Sequence, residues 1–180
     1  MVLPATGAPR PGVNVGSTSE FSLFFRVKLG HGEALREAVE ALSNAPGYRS
    51  GDYDLPIASI HDARFVLFDD DTRLLFATSF DGSWDAYMED FASKPLHLFD
   101  SIFQHVEGYE GLPDLAALKE FILNAQVTAA GYSRNYPGTV KEIRKAERVN
   151  QAFQQVLDAP EAGEALQHPA LGPLLDEASD

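Results

Sequence analysis

From Phe21 to Leu29 apolar and polar positions alternate. Phe21, Leu23, Phe25, Val27 and Leu29 fall on one side, and Ser22, Phe24, Arg26 and Lys28 on the other. A period of two is that of a strand with one face buried, and Gly30 ends it. The period then lengthens: Ala34, Leu35, Ala38, Val39, Ala41 and Leu42 recur at helical spacing, with Glu33, Arg36, Glu37 and Glu40 opposite, which predicts an amphipathic helix over 32–43. Pro46-Gly47 breaks it. Ile57–Phe68 and Arg73–Phe80 read as two strands joined at Asp69-Asp70-Asp71-Thr72, a turn whose acids tolerate tight backbone geometry, so the pair forms an antiparallel hairpin. Ser83 is placed to cap a helix carrying Trp84, Tyr87, Met88 and Phe91, with Asp85 in its first turn and Pro95 as its stop. A short helical piece near Leu96–Asp100 precedes a further alternation, Ile102–Tyr109, read as a fourth strand. Asp114 then caps a helix through Phe121 and Ile122. Thr139 with Glu142 forms a capping box for a helix to about Leu157, whose apolar face is Val140, Ile143, Val149, Phe153 and Val156.

The predicted order is β-α-β-β-α-β with extra C-terminal helices. This is the α+β, ferredoxin-like arrangement of an antiparallel sheet with helices on one face. Residues 1–20, rich in Pro, Gly, Ser and Thr, are expected to be a flexible arm. The α+β domain occupies 21–157, and residues 158–180 are an acidic tail with six acids and no Lys or Arg.

Composition narrows the function. The 180 residues carry 14 Lys+Arg against 27 Asp+Glu, a net charge of −13, with 44% hydrophobic residues and no Cys. A core is affordable at this length. Thiolate metal sites, iron–sulfur clusters, disulfides and cysteine nucleophiles are excluded. The acidic balance and the lack of a basic reading motif argue against nucleic acid. No stretch approaches the length of a membrane span and no signal peptide is evident, so a soluble cytoplasmic protein is expected.

A sheet with helices on one face needs cover on the other, and two such sheets packed face to face provide it, so a homodimer is expected. Phe24, Arg26 and Lys28 would then look into a cavity or the dimer interface. In element order over about residues 21–110 the chain resembles the dimeric α+β barrel superfamily. The stretches Ile60–Leu67 and Leu74–Ser83 resemble a hairpin in an uncharacterised branch distantly similar to dye-decolorising peroxidases. That resemblance implies a small-molecule oxidoreductase, a monooxygenase or peroxidase-like enzyme acting on an apolar or aromatic compound, with haem as a possible cofactor.

The best constellation by alternation is His105, Glu107 and Tyr109, at i, i+2 and i+4 of the expected fourth strand and so on one face. A carboxylate beside an imidazole suits proton transfer, and the same His105 could serve as an axial haem ligand. The bland reading is a solvated strand end. His61 and Arg64, three apart, face opposite ways unless a bulge intervenes. His61 is a further acid–base candidate, and Arg64 would pair with Asp62. Arg26 and Arg64 are anchors for an anion. Phe24 and Trp84 are pocket walls, although Trp84 also fits a helix core. Asp81 reads as a turn residue. No His pair has metal-ligand spacing, and neither a Gly-X-Ser-X-Gly elbow nor a phosphate-binding glycine loop occurs. Tyr132–Pro137 is a polar, aromatic loop expected either to close over a ligand or to contact the second subunit. The rival to an enzyme is a non-catalytic dimer that binds a ligand or partner.

Overall fold

The structure, a computed structural model, describes residues 12–49, 52, 55–93 and 96–178. The expected helix stop at Pro95 and the first eleven residues of the expected arm lie outside these. The chain divides into two compact units, 1–140 and 141–180.

The first unit is built on an antiparallel sheet. Strand β1 (Val13–Val15) and strand β2 (Thr18–Arg26) are followed by helix α1 (Gly32–Asn44), strands β3 (Ile60–Phe68) and β4 (Arg73–Asp81), and helices α2 (Trp84–Ser93), α3 (Leu96–Phe103) and α4 (Leu115–Ala125). A two-residue strand, β5 (Gln126–Val127), comes last. β2 pairs with β4 and β4 with β3, while β5 pairs with β2, so the order β5-β2-β4-β3 is the ferredoxin-like one. The hairpin turns through Asp69, Asp70 and Asp71, all with positive φ (52°, 51° and 60°). Aspartate tolerates that left-handed region better than most side chains.

One face of the sheet carries the core. Phe21, Leu23, Phe25, Leu74, Phe76 and Phe80 are buried against Leu35 of α1, Tyr87 and Met88 of α2, and Leu118 and Ile122 of α4. Each such side chain contributes about 1.5–3 kcal/mol by leaving water. The alternation in β2 therefore assigned its faces correctly up to Val27, and Leu29 is the exception, fully exposed because the strand ends at Arg26. At the other end the strand starts three residues early. Thr18, Ser19 and Glu20 are buried although polar, because β1 pairs with them and extends the sheet into the segment assigned to the arm.

The expected fourth strand at Ile102–Tyr109 does not form. Phe99, Ile102, Phe103 and Val106 are buried at i, i+3, i+4 and i+7, a helical stripe, so α3 runs on to Phe103 and a turn follows. The backbone of this stretch meets β2 at an isolated bridge between Val106 and Val27. The edge of β2 is thus shared by β1, the short β5 and this bridge, with an opening between the last two.

The second unit holds most of helix α5 (Val140–Leu157), then short helical turns with helices α6 (Gly163–Leu166) and α7 (Gly172–Ala178). The expected apolar face of α5 is only partly realised. Val140 is buried, but Val149 and Val156 are exposed.

Candidate functional site

A bulge between Ile60 and Asp62 brings His61 onto the same sheet face as Arg64, the face away from the core. This answers the question left by their spacing. Asp62 and Arg64 oppose Ser79 and Ala77, and Thr18 opposes Asp81, so all share that face. There His61 Nε2 lies 2.6 Å from Asp81 Oδ1, and its side chain is 5% exposed. The other carboxylate oxygen, Oδ2, accepts from the Val140 backbone N–H at 2.7 Å. Arg134 Nη2 lies 3.3 Å from His61 Nδ1 and donates to the Gly138 carbonyl at 3.2 Å, while its guanidinium stacks over Tyr136. The pair also touches the Thr18 hydroxyl. Asp81 is therefore the anchor of a buried network, and more than a turn residue. The polar, aromatic loop supplies its lid. With a carboxylate at one ring nitrogen and a guanidinium near the other, the imidazole is held in one orientation.

Arg64 has no Asp62 partner. The Asp62 carboxylate instead accepts from the Ser79 hydroxyl. Trp84 is 1% exposed in the core with Lys119 over its ring, as the alternative of a helix core had it.

The constellation expected at 105–109 is dispersed because its strand is absent. His105 turns toward His31, Nδ1 to Nδ1 at 3.0 Å, on a turn also held by Lys28 Nζ donating to the Gln104 carbonyl. Desolvation, then the neighbouring His31 and Lys28, lower the His105 pKa below its usual value. The Tyr109 hydroxyl donates to Asp100 beside Phe103 and Phe121, and burial together with that carboxylate pushes its pKa up. Glu107 is exposed, and its backbone N–H donates to the Arg26 carbonyl at 2.8 Å.

The opening at the β2 edge is a cleft of about 790 Å³. Its apolar part is Phe24, Phe25 and Phe121. Arg26, Arg73, Glu107, Glu110 and Glu120 supply its charged lining. Arg26 and Arg73 are directly opposite in register, and like charges so placed favour an anion between them. Arg73 also reaches Asp69 at 3.3 Å. Gln126, 9% exposed, lines the cleft with neither side-chain nitrogen nor oxygen hydrogen-bonded. Phe24 and Arg26 were legible from alternation. Arg73 and Gln126 were not, since only the pairing of β2 with β4 and β5 brings them there.

Haem does not fit these residues. The cleft lining contains no His, Cys, Met or Tyr, and His105, the expected axial ligand, is not part of it. Among the described residues no group of three or more His, Cys, Asp or Glu is arranged to hold a metal ion.

No protein family matches the chain, and no curated protein does. Among solved structures, tetracenomycin F2 cyclase from Streptomyces glaucescens, a type-II polyketide cyclase, matches over 66% of this chain and 98% of its own, at 15% identity and a TM-score of 0.35. A likeness that loose carries no argument about activity, and the resemblance to dye-decolorising peroxidases gains nothing from it. The α+β assignment stands on the strand order itself. No helix among the described residues is long and apolar enough to cross a membrane.

Proposed function

We propose that this protein binds a small molecule, an apolar or aromatic anion, in the cleft at the open edge of β2. The observation that carries the reading is the combination in one cavity of about 790 Å³ of an aromatic floor with paired arginines. Ligand sites are concave, mostly apolar and sparingly polar, with volumes of roughly 300–1,000 Å³. The chemistry available for turnover is proton transfer by the carboxylates Glu107, Glu110 and Glu120. Oxidation, which the family resemblance implied, would need a cofactor or an electron-rich ligand, because the lining offers no redox side chain. The working unit is proposed to be a homodimer, formed through exposed Phe24 and Val66 with half-buried Leu75 between them, side by side across three strands.

Titration with anilinonaphthalene sulfonate, an aromatic anion, tests the binding reading. The expected result is saturable fluorescence enhancement with about one site per chain. Arg26→Ala should weaken it about tenfold, as loss of one charge-assisted contact does, while Arg64→Ala, outside the cleft, leaves it unchanged. Non-saturable binding, or equal effects of the two variants, overturns the reading.

A further inference from the structure

Between β5 and the bridge at Val106, the main chain of β2 carries two hydrogen-bonding groups that the binding reading leaves unused. Where β2 pairs with β4, the Val27 N–H donates to the Thr72 carbonyl at 2.8 Å, which makes Arg26 and Arg73 a non-hydrogen-bonded pair; by alternation Phe24 and Leu75 are one as well. The N–H and C=O groups of Phe24 and Arg26 therefore point away from β4, to the open edge. The Arg26 carbonyl shows that direction directly, since it accepts at 2.8 Å from the N–H of Glu107, a residue of the cleft lining. β5 pairs with β2 at Ser22 and Leu23. The Phe24 carbonyl and the Arg26 N–H fall between these two attachments, and among the described residues neither makes a hydrogen bond. Main-chain groups in folded proteins are nearly always paired, and a free strand edge is where an extended partner adds. Phe24 is 43% exposed and lines the cleft with Arg26, so this edge is open to what enters.

Resting on the binding reading above, we infer that this edge takes an N-acylated aromatic amino acid, held through its own main chain like one residue of a parallel strand. In parallel pairing a residue beside Phe25 gives its N–H to the Phe24 carbonyl and accepts the Arg26 N–H on its own carbonyl oxygen. β5 and the Glu107 bond close the two ends, so the edge holds a single residue and no running strand. A terminal carboxylate on that residue accepts a charge-assisted bond from the Arg26 N–H, and the arginines of the lining balance its charge. Adjacent residues of paired strands send their side chains to the same face, which puts the ligand's ring on the side of Phe25. Phe25 and Phe121, both of the lining, stack there with 5.2 Å between ring centroids. Acylation leaves the nitrogen neutral with one N–H, which is what a strand residue presents.

The test is isothermal titration of the full-length protein with N-acetyl-L-phenylalanine and with O-acetyl-L-phenyllactate, which differs only in an ester oxygen where the amide has N–H. Wild type should prefer the amide by at least about tenfold, because the ester sets an oxygen against the Phe24 carbonyl and leaves it unpaired. Arg26→Ala, shown folded by circular dichroism, should weaken both ligands by similar factors and keep the preference, since the group that discriminates is main chain. In wild type, saturating N-acetyl-L-phenylalanine should slow hydrogen exchange of the Arg26 amide at least about tenfold, while that of Lys28, already bonded to the His105 carbonyl at 2.8 Å, changes little. The exchange measurement stands whether or not Arg26→Ala folds. Equal affinity for amide and ester, or binding of neither while anilinonaphthalene sulfonate saturates, overturns the inference and leaves the binding reading in place. An unprotected Arg26 amide, or a preference lost in folded Arg26→Ala, overturns it too. If none of the three compounds binds, the cleft reading falls and this inference with it.

Discussion

At the scale of single residues, the His61 and Asp81 pair shows how much one carboxylate can fasten. Asp81 Oδ1 receives the imidazole and Oδ2 receives the Val140 N–H, so the end of β4 is tied to the bulge in β3 and to the start of α5 by two oxygens. Asp81→Ala would leave both donors without their acceptor in a part-buried site. At ~1–3 kcal/mol for each unsatisfied group, a loss of about 3 kcal/mol in unfolding free energy is expected by urea denaturation. A change under about 1 kcal/mol would show that solvent replaces the carboxylate there. His61 was visible in the sequence as a candidate, but its partner was not. Asp81 next to Gly82 has the chemistry of a turn, and only the bulge, which shifts register by one residue, turns His61 toward it.

At the scale of elements, helix α4 decides the shape of the cleft, because it contributes Ala117, Glu120, Phe121 and Asn124 to the wall. Its start is set by Asp114, which accepts from the Ala117 N–H at 2.8 Å, as the pattern of Pro113 followed by an acid suggested. Asp114→Ala should cost about 1 kcal/mol, the usual value of an N-cap, read as a lowered urea midpoint with unchanged slope. It should leave the cleft's binding of anilinonaphthalene sulfonate intact at low denaturant, since Leu118 and Ile122 remain buried and hold the helix in place. An altered slope would instead mean that the helix unfolds on its own. The error at Ile102–Tyr109 belongs to this scale too. Its residues satisfy a period of two over a few positions and a period near 3.6 over a longer window that includes Phe99, and burial of Phe99, Ile102, Phe103 and Val106 on one side chose the helix. That choice removed the shared face of His105, Glu107 and Tyr109.

At the scale of the whole molecule, the outer face of the sheet is the unresolved surface energy. Phe24 is 43% exposed and Val66 41%, in line with Leu75 between them. Exposed apolar rows of this kind mark interaction surfaces. Sedimentation velocity is expected to give a dimer, and Val66→Lys, outside the cleft, should give a monomer while leaving the far-ultraviolet circular dichroism unchanged. A monomeric wild type would rule out the homodimer. The sequence alone determined the elements with strong local signals: the β2 faces, the hairpin at three aspartates, the caps at Ser83 and Asp114, and the α+β order. These are set by side-chain periodicity and by hydrogen bonds within a few residues, so no distant contact was needed to read them. The tertiary structure alone decided where β2 ends, which stretch takes the fourth place in the sheet, and that Arg73 and Gln126 join Phe24 and Arg26 around one cavity. Those outcomes depend on pairing register and on which apolar stripe wins burial, quantities that arise only when strands far apart in the chain meet.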